Sequence, residues 1–64
     1  MFFVRNVWRA DRARYRQIAG PAAGQLFAAR HQAEELAARI RAAGVAVAVR
    51  AGSLRDGLDL DHAA

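Results

Sequence analysis

The chain has 64 residues, ten arginines, no lysine and a formal net charge of +4 at pH 7. This length allows a single domain, and the absence of cysteine excludes disulfides and thiolate metal sites. No apolar run reaches the ~20 residues needed to cross a bilayer, and the first residues are too charged for a signal peptide, so we expect a cytoplasmic protein with no membrane partner.

The small size also predicts an oligomer. A chain of this length buries only about 60 % of the surface that its unfolded form exposes, and it is marginally stable alone. Small domains are usually stabilised by a disulfide, a metal or a partner. Because the chain contains no cysteine, we expect the stabilising partner to be a second copy and predict a homodimer.

The segment FFVRNVW, Phe2 to Trp8, is rich in β-branched and aromatic residues and predicts a strand. Side chains alternate between the two faces of a strand. The face predicted to meet the core carries Phe2, Val4, Asn6 and Trp8. The other face carries Phe3, Arg5, Val7 and Arg9. We expect Arg9 to Arg12 to form a tight connection.

The segment ARYRQIA, residues 13–19, has two interpretations. As a strand, it places Arg14, Arg16 and Ile18 on one face. As a helix, it brings Tyr15, Ile18 and Ala19 together, and its residues are good helix formers. The break GPAAG follows, and QLFA is then predicted to be a short third strand.

The segment RHQAEELAARIRAAG predicts a helix because its apolar residues recur at helical spacing. The predicted apolar stripe is Ala33, Leu36, Ala37 and Ile40. Gly44 follows the last turn and suits a left-handed C-terminal cap. No Ser, Thr, Asp or Asn precedes the helix, so its start remains open and extends as far back as Pro21 in one alternative.

The segment VAVAVRAG predicts a strand by strict alternation, with Val45, Val47 and Val49 towards the helix. Ala46, Ala48 and Arg50 then point away from it. The predicted fold is a small α+β domain over residues 1–52, with a helix packed on one face of an antiparallel sheet and the order β-β-(β)-α-β. The alternative order is β-α-α-β, with one long helix from Pro21 to Ala43. Residues 53–64 are predicted to be an acidic C-terminal tail.

The stretch AEELAARIRAAGVAVAV, preceded by YRQIAGP, resembles one half of a sporulation-related repeat domain. That resemblance implies a strand that ends in Gly-Pro, then a helix, a glycine and a strand. The family binds peptidoglycan, uses two such halves and is exported. This chain has one half, an additional AAGQLF segment and no export signal, so we do not carry the binding function over to it.

The predicted element order is also similar to two other groups. One comprises small β-β-β-α-β proteins of actinobacteria and their phages that have no known function. The other comprises antitoxin domains of the HicB type, whose acidic and aromatic signature is not found here. These resemblances imply a fold and no activity.

The sequence predicts a protein that is not an enzyme and that holds no metal or cofactor. His31 and His62 are the two histidines, and the chain has no H-x-x-x-H pair and no cysteine to complete a metal site. Ser53 is the single serine and has no nucleophile elbow around it. The segment GPAAG lacks the lysine and the glycine spacing of a phosphate loop.

If residues 13–19 form a strand, most of the arginines share the sheet face that the helix leaves bare. The predicted binding residues on this basic face are Phe3, Arg5, Arg9, Arg12, Arg14, Arg16 and Arg50. Guanidinium groups suit phosphate, and Phe3 is the aromatic expected to stack. Nucleic acid is therefore an alternative partner, while solvation alone also explains such a face.

The acidic tail offers a second partner for the basic face, in the same chain or in a second copy. Its predicted contact residues are Asp56, Leu58, Asp59, Leu60 and Asp61. We therefore expect a non-catalytic protein-interaction or self-assembly module, accessory to a larger complex. Its predicted partners are a second copy of the chain or a protein with an acidic patch, with nucleic acid as the alternative.

Overall fold

The structure is a computed structural model, and it describes residues 1–52. Its elements in chain order are strand β1 (Phe2–Asn6), helix α1 (Arg12–Ala19), helix α2 (Arg30–Ala42) and strand β2 (Val47–Ala51). Short 3₁₀ turns precede and follow α1, at Arg9–Asp11 and Gly20–Ala22. The predicted small α+β class is confirmed, with helices packed against an antiparallel pair of strands.

The order of the elements is β-α-α-β, and the strand predicted over residues 13–19 is wrong. The segment is helical because its residues favour a helix and because Tyr15 and Ala19, one turn apart, are both buried on one side of it. The alternative order β-α-α-β is therefore confirmed, whereas the single long helix that it placed from Pro21 to Ala43 is wrong. Gly20 and Gly24 have φ of 58° and 75°, which interrupts the helical path between α1 and α2.

The predicted third strand is reduced to one bridge. Phe27 and Phe2 exchange both backbone hydrogen bonds: the Phe2 N–H donates to Phe27 O at 2.8 Å, and the Phe27 N–H donates to Phe2 O at 2.7 Å. The sheet of residues 1–52 therefore has two strands, β1 and β2, with Phe27 attached to the side of β1.

Helix α2 has the predicted apolar stripe and the predicted end. The N-cap residue of α2, Ala29, has no side-chain acceptor. The Gln32 side chain, however, accepts a hydrogen bond from the Ala29 N–H at 3.2 Å. At the other end, Gly44 has φ of 89°, and its N–H donates to Arg41 O at 2.9 Å. The glycine cap predicted from the sequence is therefore confirmed.

The two strands are antiparallel, so the prediction that the last strand joins the first in one sheet is confirmed. Val4 lies opposite Val49 and Phe3 lies opposite Arg50. Helix α2 packs against both strands on the face that holds Val4 and Val47. The opposite face of the sheet, on which no helix of residues 1–52 packs, is called the helix-free face below.

The core combines all four elements. Its buried cluster consists of Val4, Tyr15, Ala19, Ala33, Leu36, Ala37, Ile40, Val45 and Val47. Every residue of the predicted α2 stripe belongs to it, and Val45 and Val47 face the helix as predicted. The prediction that Trp8 faces the core is wrong, because its side chain is 64 % exposed. Strand β1 ends at Asn6, so the alternation does not extend to Trp8.

Candidate functional site

The predicted single basic face does not form. Arg5 and Arg50 project, exposed, from the helix-free face as expected. Arg9 lies in the first 3₁₀ turn, and Arg12, Arg14 and Arg16 lie on α1. Because α1 is a helix, Arg14 points away from Arg12 and Arg16, which lie one turn apart, so the three do not line one side of a ribbon. Two of the six predicted arginines therefore share the face, and anion binding by any of them stays a prediction.

Two arginines bond to backbone carbonyls where chain segments meet. The Arg14 Nη2 donates to Ala43 O at 3.1 Å, which ties α1 to the C-terminal end of α2. The Arg41 Nη2 donates to Val47 O at 2.9 Å and ties α2 to the start of β2. A cation at the end of a helix also interacts favourably with the helix dipole. This use of arginine inside the fold explains part of the basic composition without an external anion.

The aromatic residues exchange their expected positions. Phe3 lies on the helix-free face but is only 7 % exposed, so the exposed stacking position expected for it is wrong. Trp8 and Val7 are instead among the exposed large apolar side chains, at 64 % and 50 %, together with Met1 at 60 %. The Asn6 Nδ2 donates to Trp8 O at 2.8 Å and turns the chain out of the strand. Asparagine is typical of such turns, so Asn6 is a sequence signal for this strand end that the prediction of a strand to Trp8 did not use.

The hydrogen-bond pattern shows which backbone groups face outwards from the sheet. The Val7 N–H donates to Ala46 O and the Gly52 N–H donates to Met1 O, both at 2.9 Å. Hydrogen-bonded and non-hydrogen-bonded pairs alternate along an antiparallel ladder. Ala48 and Arg50 therefore direct their N–H and C=O groups at β1, whereas Val47, Val49 and Ala51 direct theirs away from it. We call that second side the outer edge of β2.

The corresponding outer edge of β1 is covered. Phe2 is paired there with Phe27. The buried hydroxyl of Tyr15, on α1, donates to Val4 O at 2.8 Å. Residue Phe27 and helix α1 therefore occupy the side of β1 on which another strand would otherwise pair.

The outer edge of β2 has much less cover. Arg41 donates a hydrogen bond to the Val47 carbonyl. No residue within 1–52 forms a hydrogen bond with the outward backbone groups of Val49 or Ala51. Strand β2 has the sequence VAVRA, without proline or lysine. An edge strand with unpaired backbone groups and no such protection is a template for pairing with another strand.

Helix α2 presents one charged flank on the same side as this edge. Glu34 approaches Arg30 at 3.9 Å and Arg41 at 3.8 Å, and Arg41 in turn contacts the outward carbonyl of Val47. The other flank of α2, with Glu35 and Arg39, lines a groove beside Phe27 on the β1 side. The flank defined by Arg30, Glu34 and Arg41 therefore borders the outer edge of β2.

The structure places no further predicted contact residue and no metal-binding cluster within residues 1–52. Asp56, Leu58, Asp59, Leu60 and Asp61 lie outside the described residues. Among residues 1–52 no three His, Cys, Asp or Glu side chains converge on a point where they would hold a metal ion. Neither of the helices in this part of the chain has the length and apolar character to cross a membrane.

Comparison of the chain with protein-family models, with curated proteins and with solved structures gives no match in any of the three. The resemblance to half of a sporulation-related repeat therefore stays a prediction.

Proposed function

We propose that this chain is a non-catalytic binding module that associates with itself or with another protein through a β-strand. The observation that supports the proposal is the outer edge of β2, whose Val49 and Ala51 backbone groups have no partner within residues 1–52. The cytoplasmic location and the role beside a larger complex, both predicted from the sequence, remain part of this proposal.

The energetic reason is the size of the sheet. An isolated two-stranded sheet is marginally stable in water, and additional strands or a packed helix are needed for stability. Here α2 covers one face, but each strand has only five residues. A third strand on the outer edge would bond the outward N–H and C=O groups of β2 and extend the apolar surface beneath α2.

The test is the solution mass of the full-length chain, measured by light scattering from micromolar to millimolar concentration. Self-association predicts a mass that rises from 7.0 kDa towards twice that value. A Val49→Pro variant removes one outward N–H without removing a hydrogen bond to β1. We expect it to stay folded and monomeric. A mass of one chain at every concentration, for the unaltered protein, would contradict self-association.

Nucleic-acid binding is the second candidate, and the exposed pair Arg5 and Arg50 favours it. The acidic residues within 1–52 are Asp11, Glu34 and Glu35, and none belongs to a strand of the sheet. The two guanidinium groups of the helix-free face therefore have no acid beside them on β1 or β2. The exposed Trp8 supplies an aromatic surface on which a base can stack.

This candidate predicts binding to a short oligonucleotide that weakens steeply as salt rises, because each phosphate contact contributes a slope of about 0.9 in log K against log salt for duplex DNA. The double variant Arg5→Ala with Arg50→Ala should reduce that slope by about 2. The matched control is Arg14→Ala, whose guanidinium is committed to Ala43 O. Absence of binding at low salt would eliminate the candidate.

A further inference from the structure

We propose that two copies of this chain pair antiparallel along their β2 outer edges, with the twofold axis at Val49, so that their α2 helices lie side by side. This inference rests on the proposed function and specifies its partner and its interface. It is supported by three independent features: the register of β2, the position of α2 above the sheet, and the charges along the flank of α2.

The outward N–H and C=O groups of β2 determine the register of the proposed pairing. A twofold axis at Val49 pairs Val49 with Val49 of the partner subunit and Val47 with Ala51 of the partner subunit. The outward backbone groups of β2 then take part in the ladder, with the Val47 carbonyl accepting a second hydrogen bond beside that from Arg41. Arg50 lies opposite Ala48 of the partner subunit, whereas an axis at Arg50 would set two guanidinium groups opposite each other. Because like charges directly opposite are unfavourable, the axis at Val49 is preferred.

Helix α2 packs on both strands of its own pair, so it lies above the middle of that pair. Paired strands lie ~4.8 Å apart, so a helix above the midline of one pair stands two strand spacings from its counterpart, ~9.6 Å. Ordinary helix packing distances are about 8–10 Å. Edge pairing of β2 therefore brings the two α2 helices to contact distance while each copy keeps the packing of α2 on its own strands.

The flank of α2 that borders the outer edge of β2 carries charges of both signs. In an antiparallel helix pair about a twofold axis, Glu34 of one copy lies opposite Arg41 of the other when the axis passes between Ala37 and Ala38. The exposed Ala38 has a small side chain that allows the helix backbones to approach closely. Within one copy, Glu34 already attracts Arg41 at 3.8 Å. The flank is therefore self-complementary, as an interface between identical copies requires.

The test uses single-cysteine variants of the full-length chain, which is possible because the protein contains no cysteine. Cα atoms of a hydrogen-bonded antiparallel pair are ~5.5 Å apart, within disulfide range. We expect Val49→Cys to form a disulfide-linked dimer on oxidation. In this register, the Cα atoms of the two residues at position 48 are ~8 Å apart, and so are those of the two residues at position 50. Both distances exceed the limit of about 7 Å that a disulfide can bridge. Ala48→Cys and Arg50→Cys are the matched controls and should not crosslink.

A second pair of variants tests the helix contact without altering the sheet. Glu34→Arg places a third positive charge beside Arg30 and Arg41 on the interface flank, and we expect it to weaken dimerisation several-fold. Glu35→Arg makes the same charge change ~100° around the helix from Glu34, on the side that lines the groove with Phe27, and should weaken the dimer less. Equal effects of the two variants would contradict the helix contact.

The outcomes separate this inference from the proposed function. A dimer that crosslinks through Val49→Cys, and not through the controls, supports the arrangement. A dimer that crosslinks through position 48 or 50, or through none, overturns the arrangement and leaves self-association standing. A monomer at all concentrations overturns both. Protection of the Val49 amide in such a monomer would identify another part of the chain as the occupant of the edge.

Discussion

The hydrogen bond from Tyr15 to the Val4 carbonyl is the contact most directly open to measurement. The Tyr15 side chain is 2 % exposed, and its hydroxyl donates to Val4 O at 2.8 Å. Tyr15→Phe keeps the ring and leaves that buried carbonyl without its donor, which costs about 1–3 kcal/mol. A domain of this size has a total stability of about 3–10 kcal/mol, so the loss is a large fraction of it.

Thermal unfolding followed by circular dichroism measures this loss. For a small domain, 1 kcal/mol moves the midpoint by about 4–8 °C, so a loss of about 2 kcal/mol lowers it by about 8–16 °C. Val7→Ala is the control, because Val7 is 50 % exposed and should shift the midpoint little. An unchanged midpoint for Tyr15→Phe would refute the position of α1 beside β1.

Three further predictions test the core, the exposed aromatic residue and an arginine that bonds within the fold. Leu36→Ala removes a buried side chain from α2 and should cost about 2–5 kcal/mol, enough to unfold much of the population; a fully folded variant in a urea titration would contradict its place in the core. Trp8→Ala should change stability by less than about 0.5 kcal/mol, because the side chain is mostly exposed; a larger loss would place Trp8 in the core after all. Arg14→Ala should cost about 0.5–1 kcal/mol through its bond to Ala43 O, whereas Arg9→Ala should cost nothing measurable; equal midpoints for the two would contradict that bond.

The sequence predicted the second half of the domain well because strong local signals agree there. The stripe through Leu36 and Ile40 has helical spacing, Gly44 supplies the cap, and Val45 to Val49 alternate strictly. Each signal is short-range, and none depends on a distant partner. The structure has α2, the glycine cap and β2 in that order, with the predicted residues in the core.

The first half was less predictable because its periodicity is weak. Segment 13–19 alternates arginine with other residues, which mimics one polar strand face, but the same residues favour a helix. Tyr15 and Ala19 resolve the ambiguity only through contact with α2 and with Val4, which the sequence does not reveal. The predicted basic face required residues 13–19 to form a strand. Because these residues belong to helix α1, the predicted face does not form.

The edge of β2 was missed for a related reason. A strand is identified by the faces of its side chains, whereas an edge is defined by which neighbouring element covers its backbone groups. That neighbour is distant in sequence: Phe27 and Tyr15 cover β1. The sequence alone left the position and the number of strands open, so it did not indicate which edge remains uncovered.

Amide hydrogen exchange at Val49 and Ala48, followed by NMR across a dilution series, tests the central claim most directly. The Ala48 N–H points at β1 and should be protected at every concentration, whereas the Val49 N–H points outwards and should gain protection only as copies associate. Protection of Val49 that rises with concentration, with Ala48 unchanged, is the result we expect. Rapid exchange of Val49 at every concentration would contradict pairing at this edge.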